Sequence, residues 1–414
     1  MRLPATTVFY GLEFFLRMPT WVVMAVFLVR DLHLSPLELV LMGTAMEGTI
    51  FLFQIPTGAL ADLYSRRLCQ VVGYIGMGAA WMAVGLISSA WAAIALWAFW
   101  GLSYTLTSGS FEAWIADEVG AENVGSLFLR GQRLGYGGAV LGLALQVGIG
   151  TVSLRAGVVT GGAVTTLCGI TCIFVMPETA FRRHESEDRP RLADVLGRAD
   201  AGIRYARVAP LVGLLIAVAL FTGMSSEAFD RLKEAHFLRD VGLPAVGHLS
   251  PVVWFGIFWL VAMVFGFVAL GRLIPLVERG GVEAVTRFLL GFTIVQFGAM
   301  VLFALSHSAW PAIVGLLGVF FARDITGPLY LTWLNARISN SSVRATVLSL
   351  AGQADAIGQT AGGPVLGAVG NVWGIGSALA AGAVALVPAA ALYARAIRRH
   401  GSMPLIPAGE PAQL

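Results

Sequence analysis

The stretch Gly58-Ala-Leu-Ala-Asp62-Leu-Tyr-Ser-Arg66-Arg67 is a short charged turn between two long apolar runs. Gly58 permits another backbone to come close. The four-residue spacing of Asp62 and Arg66 places an acid and a base on one helical face. Arg66 and Arg67 mark a cytoplasmic loop, because membrane proteins carry an excess of basic residues on that side. The turn therefore predicts a chain that crosses a membrane on either side of it.

The composition of the chain supports this interpretation. Of its 414 residues, 57% are hydrophobic and only 12% are charged, whereas about 25% of the residues of a soluble domain are charged. The net charge of +3 is small for a nucleic-acid-binding protein, and the arginines lie in short loops and not in one patch. Composition therefore predicts a lipid-embedded protein with no nucleic-acid partner.

Apolar runs long enough to span a bilayer, about 20 residues each, recur along the chain. They cover residues 8–30, 37–61, 68–88, 91–116, 125–150, 157–176, 209–230, 251–271, 286–305, 309–332, 345–369 and 373–394. We therefore predict an all-α integral membrane protein with twelve transmembrane helices. The longest polar segment separates two groups of six. The predicted organisation is a six-helix bundle over 1–176, a cytoplasmic linker over 177–208, a second bundle over 209–396 and a cytoplasmic tail over 397–414.

The distribution of arginine predicts the orientation. If the N-terminus is cytoplasmic, most loop arginines fall on that side: Arg66, Arg67, Arg130, Arg133, Arg272, Arg279, Arg287, Arg337, Arg344, Arg395, Arg398 and Arg399. The opposite loops hold few basic residues, namely Arg30, Arg155 and Arg239, with Arg231 and Lys233 at the end of predicted helix 7. We therefore expect both termini inside. Ready labelling of a cysteine introduced at position 190 by an impermeant maleimide in intact cells would contradict this orientation.

A glycine-rich run in predicted helix 5 recurs in predicted helix 11. Gly137-Gly-Ala-Val-Leu-Gly142 returns as Gly362-Gly-Pro-Val-Leu-Gly367. The residues concerned are Gly137, Gly138, Gly142, Gly362, Gly363, Pro364 and Gly367. Helices 5 and 11 are equivalent in a six-plus-six arrangement, so the repeat indicates two related halves. The alternative is that both runs are generic surfaces for close helix packing.

The opening stretch resembles the loop between helices 2 and 3 of the major facilitator superfamily, Gly-x-Leu-Ala-Asp-Arg-x-Gly-Arg-Arg. The matching residues are Gly58, Leu60, Ala61, Asp62, Arg66 and Arg67, whereas Leu63 and Ser65 depart from the pattern. The resemblance implies two pseudo-symmetric six-helix bundles and transport by alternating access. It is nearest to the proton-coupled drug exporters, although predicted helix 4 lacks their arginine and Ala139 stands where their Gly-Pro pair has proline.

The resemblance also implies a role for the charged turn. In the superfamily the matching aspartate helps to hold the cytoplasmic gate shut, beside the start of helix 11. We therefore expect Asp62 near that helix, into which residues 340–342 lead. A helix N-terminus favours a carboxylate. Arg66 is expected to bridge Asp62 to Asp117, so Gly58, Asp62, Arg66, Arg67 and Asp117 form the predicted gate motif.

Charged residues inside the apolar runs are the candidates for function. A charge at membrane depth costs at least ~2.5–3.5 kcal/mol, so each needs a partner, an aqueous cavity or a function. The residues are Glu13, Arg17, Glu47, Glu112, Glu227, Asp230, Arg323, Asp324 and Asp355. Most lie on predicted helices 1, 4, 7 and 10, which line the central cavity in the superfamily. Asp230 is expected at the outer interface, where it ends helix 7. The predicted cavity and proton-coupling set is Glu112, Glu13, Arg17, Arg133, Glu227, Arg323 and Asp324.

Glu112 is the first choice for the coupling proton and Glu13 the second. No basic residue lies on the same predicted helix as Glu112, and an unpaired acid in a low-dielectric cavity favours its protonated form. The alternative is a permanent Glu112–Arg133 ion pair that joins helices 4 and 5. Glu13 and Arg17 also have the spacing of a structural pair within one helix.

We expect proton-coupled efflux of a small, partly hydrophobic compound. Aromatic residues crowd predicted helices 1 and 4: Phe14, Phe15, Trp21, Trp100, Tyr104, Phe111 and Trp114. The alternative is proton-coupled uptake of a nutrient or small anion, with Arg17 or Arg323 as its ligand. A membrane enzyme or a receptor is a third class, but no nucleophile elbow or phosphate loop occurs. The predicted partners are a small-molecule substrate, protons and the lipid bilayer, with no metal and no cofactor. We expect a monomer in the cytoplasmic membrane of a bacterium.

Overall fold

A computed structural model describes residues 2–120, 122, 124–181, 210–337 and 341–398 of the chain. Within these residues all regular secondary structure is helical. The helices are α1 Ala5–Phe15, α2 Trp21–Arg30, α3 Pro36–Leu63, α4 Arg66–Leu86, α5 Ala90–Thr107, α6 Ser110–Val119, α7 Val124–Val152, α8 Leu154–Val175, α9 Pro210–His236, α10 Pro251–Ala304, α11 Ala309–Arg337, α12 Ser341–Trp373, α13 Ile375–Val384 and α14 Leu386–Arg398. A π-helical turn, Phe237–Val241, continues α9.

Eight segments in the described part are long and apolar enough to cross a membrane. They are Pro36–Leu63, Arg66–Leu86, Val124–Val152, Leu154–Val175, Pro251–Val277, Ala284–Ala304, Ala309–Leu331 and Ile375–Arg398. The other four predicted spans correspond to α1 with α2, α5 with α6, α9, and α12. The all-α membrane fold is confirmed, and the count of twelve crossings stays a prediction.

Predicted spans 8 and 9 belong to one continuous helix, α10. The sequence places charged residues between residues 271 and 286, which end an apolar run. They do not end the helix, which continues through Pro275 and Gly280-Gly281 although proline and glycine both disfavour helix. Hydropathy therefore located the two apolar segments and missed the helical connection between them.

The helices form two compact units. One contains α1–α8 together with Ala245–Gly256, and its core includes Phe9, Trp114, Ile115 and Met176. The other contains α9, the rest of α10, and α11–α14. Its core includes Leu289, Ile325, Trp333, Val347 and Ala389. Most of the predicted linker, and the whole predicted tail after residue 398, lie outside the described residues.

Predicted helix 1 is broken between α1 and α2, at residues 16–20. Pro19 has no backbone N–H and disfavours helix at the residue before it. Exposed backbone groups at membrane depth must find partners. Gln146 of α7 supplies two: its Oε1 accepts from the Thr20 N–H (3.1 Å), and its Nε2 donates to the Met18 carbonyl (3.0 Å). One side-chain amide thus stabilises both sides of the break.

Glycines on α7 bring this break and α1 close to the helix. A Cβ at Gly138 would overlap the carbonyl oxygen of Phe14, and one at Gly142 that of Met18. Gly137, by contrast, would make only an ordinary contact with the Phe14 ring, at 3.6 Å. Two helical segments approach this closely only where small residues, such as these glycines, lie at the contact. Two of the three motif glycines in predicted helix 5 therefore lie at the helix contact.

The second glycine run lies in α12, which also contains Pro364. A Cβ at Gly362 would lie 2.5 Å from the Met224 Cγ of α9. Gly358, outside the repeated run, makes the closest backbone approach, against the carbonyl oxygen of Leu220. Both glycine-rich runs thus contribute to helix packing, and the repeat does not locate the tightest contact in α12.

Replacing Gln146 by leucine is expected to destabilise the protein by about 2–6 kcal/mol. The change leaves the Met18 carbonyl and the Thr20 N–H without their partner, and each unsatisfied buried group costs about 1–3 kcal/mol. Unfolding of the purified protein in detergent measures the effect. Gln132→Leu is the control, because Gln132 is an exposed glutamine on the same helix. Equal losses in both variants would show that Gln146 does not support the break.

Candidate functional site

A cavity of about 310 Å³ opens within the first unit. Its wall is built by α1, the break that follows it, the start of α2, α4, α5, α6 and α8. Two kinds of side chain dominate it: aromatic rings, and the three charged residues Glu13, Arg17 and Glu112. This volume is at the lower end of the range found for small-molecule sites. The cavity is therefore large enough for a small organic compound.

The aromatic wall of the cavity is formed by Trp21, Trp81, Trp100 and Tyr104, and Trp97 packs against three of these rings without lining the cavity. The Trp21 ring meets those of Trp81 and Trp97 edge-on, at centroid distances of 5.1 Å, and Trp100 at 6.3 Å. Trp100 stacks on Tyr104 at 5.5 Å. Such offset and edge-to-face geometries are the favourable ones for aromatic pairs. Trp97 is buried behind the others, whereas the side chains of Trp21 and Tyr104 are exposed.

Glu13 and Arg17 form an ion pair on the cavity wall. The Arg17 Nε lies 3.1 Å from the Glu13 Oε2. The spacing predicted this pair, but Arg17 lies in the break and not on the same continuous helix. The glutamate side chain is 16% exposed and the arginine 45%, so the guanidinium faces solvent.

Glu112 enters the cavity from α6, after a second break in the chain. Predicted helix 4 is interrupted at Gly109, whose φ of +78° is a left-handed conformation that favours glycine. Glu112 therefore lies in the first turn of α6, where free N–H groups favour a negative charge. Its side chain is exposed, and within the described part of the chain it has no hydrogen-bond or ion-pair partner.

Arg133 does not pair with Glu112. It lies exposed on α7, and no ion pair joins the two side chains in the residues that the structure describes. The permanent bridge that the sequence left open as an alternative is therefore not formed in this structure.

An ion pair joins two helices of the second unit. Arg323 of α11 donates two hydrogen bonds to the Asp230 carboxylate of α9, at 2.6 and 2.9 Å. The expectation that Asp230 merely ends helix 7 is wrong, because α9 continues to His236. Planar guanidinium and carboxylate groups match in this bidentate geometry. Lys233 and Arg323 both approach the Phe229 ring, at 5.8 and 5.9 Å.

Glu227 and Asp324 belong to the same unit. Glu227 is 1% exposed, and its Oε1 accepts from the Arg231 Nε at 3.2 Å. Asp324 lies against the backbone of α10 near Gly266. The cavity described above thus brings together Glu13, Arg17 and Glu112, whereas Glu227, Arg323 and Asp324 lie outside its wall.

The charged turn that begins α4 is held by acids from three parts of the chain. Arg66 contacts the Asp117 carboxylate and lies 3.2 Å from the Asp62 Oδ1. Ser65 caps α4, with its Oγ accepting from the Leu68 N–H at 2.9 Å. Glu178, just after α8, accepts from the Ser65 hydroxyl (2.7 Å) and the Arg67 N–H (3.0 Å).

Of two further expectations for this turn, one finds no counterpart in the described residues and the other is not tested. No backbone lies close to Gly58, because a Cβ built there meets nothing within 4 Å. Asp62 and the start of predicted helix 11, at Ser341, belong to different units of the structure, so the expectation that they are neighbours stays a prediction. An i,i+4 spacing predicts a contact within one helix, but it carries no information about distant backbone.

Sequence reasoning missed Gln146, Asp230, Glu118 and Glu178 as structural partners. Glu118 accepts from the Thr179 hydroxyl at 2.7 Å and from two backbone N–H groups at 2.6 and 2.9 Å. Gln146 was recognisable as an amide inside an apolar run, because polar groups at membrane depth need partners. Glu178 carried no such signal, since a helix-end carboxylate is ordinary.

Comparisons with known proteins match nearly the whole chain. A family model described as the Major Facilitator Superfamily matches residues 6–363. The uncharacterized MFS-type transporter YxaM of Bacillus subtilis (strain 168) is 21% identical over 362 residues, 86% of each chain.

Two solved structures are similar over almost their full length. The nucleoside transporter NupG has a TM-score of 0.76 and 12% identity, over 96% of this chain and 100% of that one. A bacterial homologue of the human lysosomal transporter Spinster, inward-facing and unoccupied, has a TM-score of 0.70 and 17% identity, over 98% of each chain. At these identities the likeness shows the fold alone.

Proposed function

This chain belongs to the major facilitator superfamily, which makes it a secondary transporter of a small molecule and not an enzyme, and we propose that it exports a partly hydrophobic compound in exchange for protons. The proposed location is the cytoplasmic membrane of a bacterium, with both termini in the cytoplasm. The observation that carries the proposal is the cavity in which an aromatic wall lies with the carboxylate of Glu112, which has no ion-pair partner among the described residues.

Each part of the cavity suits one step of such an exchange. The exposed faces of Trp21 and Tyr104 offer apolar surface to the compound. Glu112 has no ion-pair partner in the described residues, and it is the group that carries the proton in this proposal. In alternating access the same site opens to each side in turn. A proton bound at Glu112 from outside would then be released inside, while the compound moves the other way.

A second candidate is proton-coupled uptake of an anionic nutrient. The observation that favours it is the 45% exposure of Arg17, because the guanidinium donors that Glu13 does not occupy face solvent. An exposed arginine on a cavity wall is a natural ligand for a carboxylate or phosphate.

Growth of cells with and without the gene on a panel of toxic hydrophobic compounds tests the direction of transport. An exporter protects the cells, and the protection disappears when a protonophore collapses the pH gradient. Sensitisation by the gene would favour uptake instead. Purified protein in vesicles loaded with a pH-sensitive dye then tests coupling. A compound that protects cells is expected to move protons across the vesicle membrane, and transport without proton movement would overturn the exchange.

We further propose that Asp62, Arg66, Arg67 and Asp117 act as the cytoplasmic gate. The support is that Arg66 holds Asp62 and Asp117 together. An ion pair that breaks and re-forms in each cycle affects rate more than folding. Asp62 is also more than half exposed, and exposed pairs contribute little to stability.

Asp62→Asn is therefore expected to lower vesicle flux at least about tenfold with an unchanged amount of protein in the membrane. Flux is measured per molecule of reconstituted protein. Asp31→Asn is the matched control, because Asp31 is an exposed aspartate that follows α2, away from the turn. Normal flux in Asp62→Asn would show that the stretch is only a turn between helices.

A further inference from the structure

The cavity wall carries a net negative charge. Its ionisable groups apart from tyrosine are Glu13, Arg17 and Glu112. The Glu13 carboxylate neutralises Arg17 across 3.1 Å. Glu112 has no such partner in the described part of the chain, so its carboxylate is the uncompensated charge.

The aromatic wall adds a second feature that favours cations. The face of an aromatic ring carries negative partial charge, and indole is the strongest of the side-chain rings in this respect. Trp21 is 42% exposed and Tyr104 36% exposed, so ring surface is open beside Glu112 and Arg17 in the same cavity. Tyr104 stacks almost parallel to Trp100, with an interplanar angle of 6°.

We propose that the cavity binds an organic cation, with its ammonium group at Glu112 and its apolar body against Trp21 and Tyr104. Treating this cavity as the cargo site rests on the proposed function. A volume of about 310 Å³ accommodates a quaternary or protonated amine that bears one aromatic ring. An anion would meet Glu112 without a compensating cation, since Arg17 is already paired.

Binding of two probes of similar size and opposite charge, benzyltrimethylammonium and benzylsulfonate, tests this proposal. The full-length protein in neutral detergent is titrated at pH 7, and its tryptophan fluorescence reports occupancy of the aromatic wall. Benzyltrimethylammonium is expected to bind saturably and at least about tenfold more tightly than benzylsulfonate. Equal binding of both probes, binding of neither, or tighter binding of benzylsulfonate would each overturn the proposal.

Variants separate the contributions of the residues. Glu112→Gln is expected to weaken benzyltrimethylammonium binding about tenfold, and Tyr104→Leu about threefold. Glu122→Gln is the matched control, because Glu122 lies outside the cavity, and it is expected to bind as the wild type does. Arg17→Gln is expected to retain cation binding. Loss of cation binding in Arg17→Gln, or unchanged cation binding in Glu112→Gln, would contradict the assignment. Size-exclusion profiles identify any variant that fails to fold, and Tyr104→Leu then keeps the wall testable.

The experiment distinguishes this proposal from the proposed function, because binding is measured without a pH gradient. Cation binding without gradient-driven flux would overturn proton exchange and support the cation site. Gradient-driven export of neutral compounds, with no binding of benzyltrimethylammonium, would overturn the cation site and support proton exchange.

Discussion

Glu112→Gln is expected to reduce pH-gradient-driven transport to the level of protein-free vesicles while the protein folds normally. Glutamine has the size of glutamate but cannot bind and release a proton at physiological pH. Because Glu112 is exposed and has no ion-pair partner in the described residues, the substitution leaves no buried cation behind. Its effect on the free energy of unfolding is expected to be below about 0.5 kcal/mol.

The measurement compares two kinds of flux on one purified preparation. Gradient-driven accumulation is expected to be lost, whereas exchange of labelled for unlabelled compound at saturating concentration, without a gradient, is expected to persist. Normal gradient-driven accumulation in Glu112→Gln would remove this residue from the coupling step.

Arg133→Gln serves as the control for the alternative of a permanent bridge. That alternative requires Glu112→Gln to fold poorly and Arg133→Gln to rescue it. Since Arg133 is exposed and does not contact Glu112, we expect both single variants to fold with wild-type stability.

Glu227→Gln is expected to have the opposite profile, with a loss of about 3–5 kcal/mol in the free energy of unfolding. Glu227 is 1% exposed, and Arg231, which it contacts at 3.2 Å, is 15% exposed. Removing one charge of a buried pair leaves the other in a medium that solvates it poorly. The same chemical change at an exposed position, Glu112→Gln, is the matched control.

Chemical unfolding in detergent, or the temperature at which the protein aggregates, measures the loss. The double variant Glu227→Gln with Arg231→Gln is expected to recover part of it, because both charges of the pair are then removed. A stable Glu227→Gln protein that cannot transport would instead place Glu227 on the transport path, as the sequence predicted.

These two glutamates show why membrane depth alone does not identify a coupling residue. Both lie in predicted spans, and the cost of a charge in the membrane marked both as candidates. Their surroundings decide between a structural and a functional role. Glu227 has Arg231 one turn away on the same helix, whereas Glu112 follows a break at Gly109 and faces the cavity.

The sequence by itself determined the fold class and the local pairs. A bilayer-spanning run depends only on the length and hydropathy of a continuous segment, so the apolar segments were readable one at a time. The pairs of Glu13 with Arg17 and of Asp62 with Arg66 were readable for a similar reason, because helical spacing alone brings residues i and i+4 together.

Only the tertiary structure decided where the helices break and which distant charges meet. The break at residues 16–20 persists because Gln146, more than 120 positions away along the chain, supplies its hydrogen bonds. Asp230 meets Arg323 from a different helix, and Glu178 reaches the start of α4 from beyond α8. Such contacts depend on how helices pack against one another. The spacing of residues within one segment does not predict which side chains of another helix will contact it.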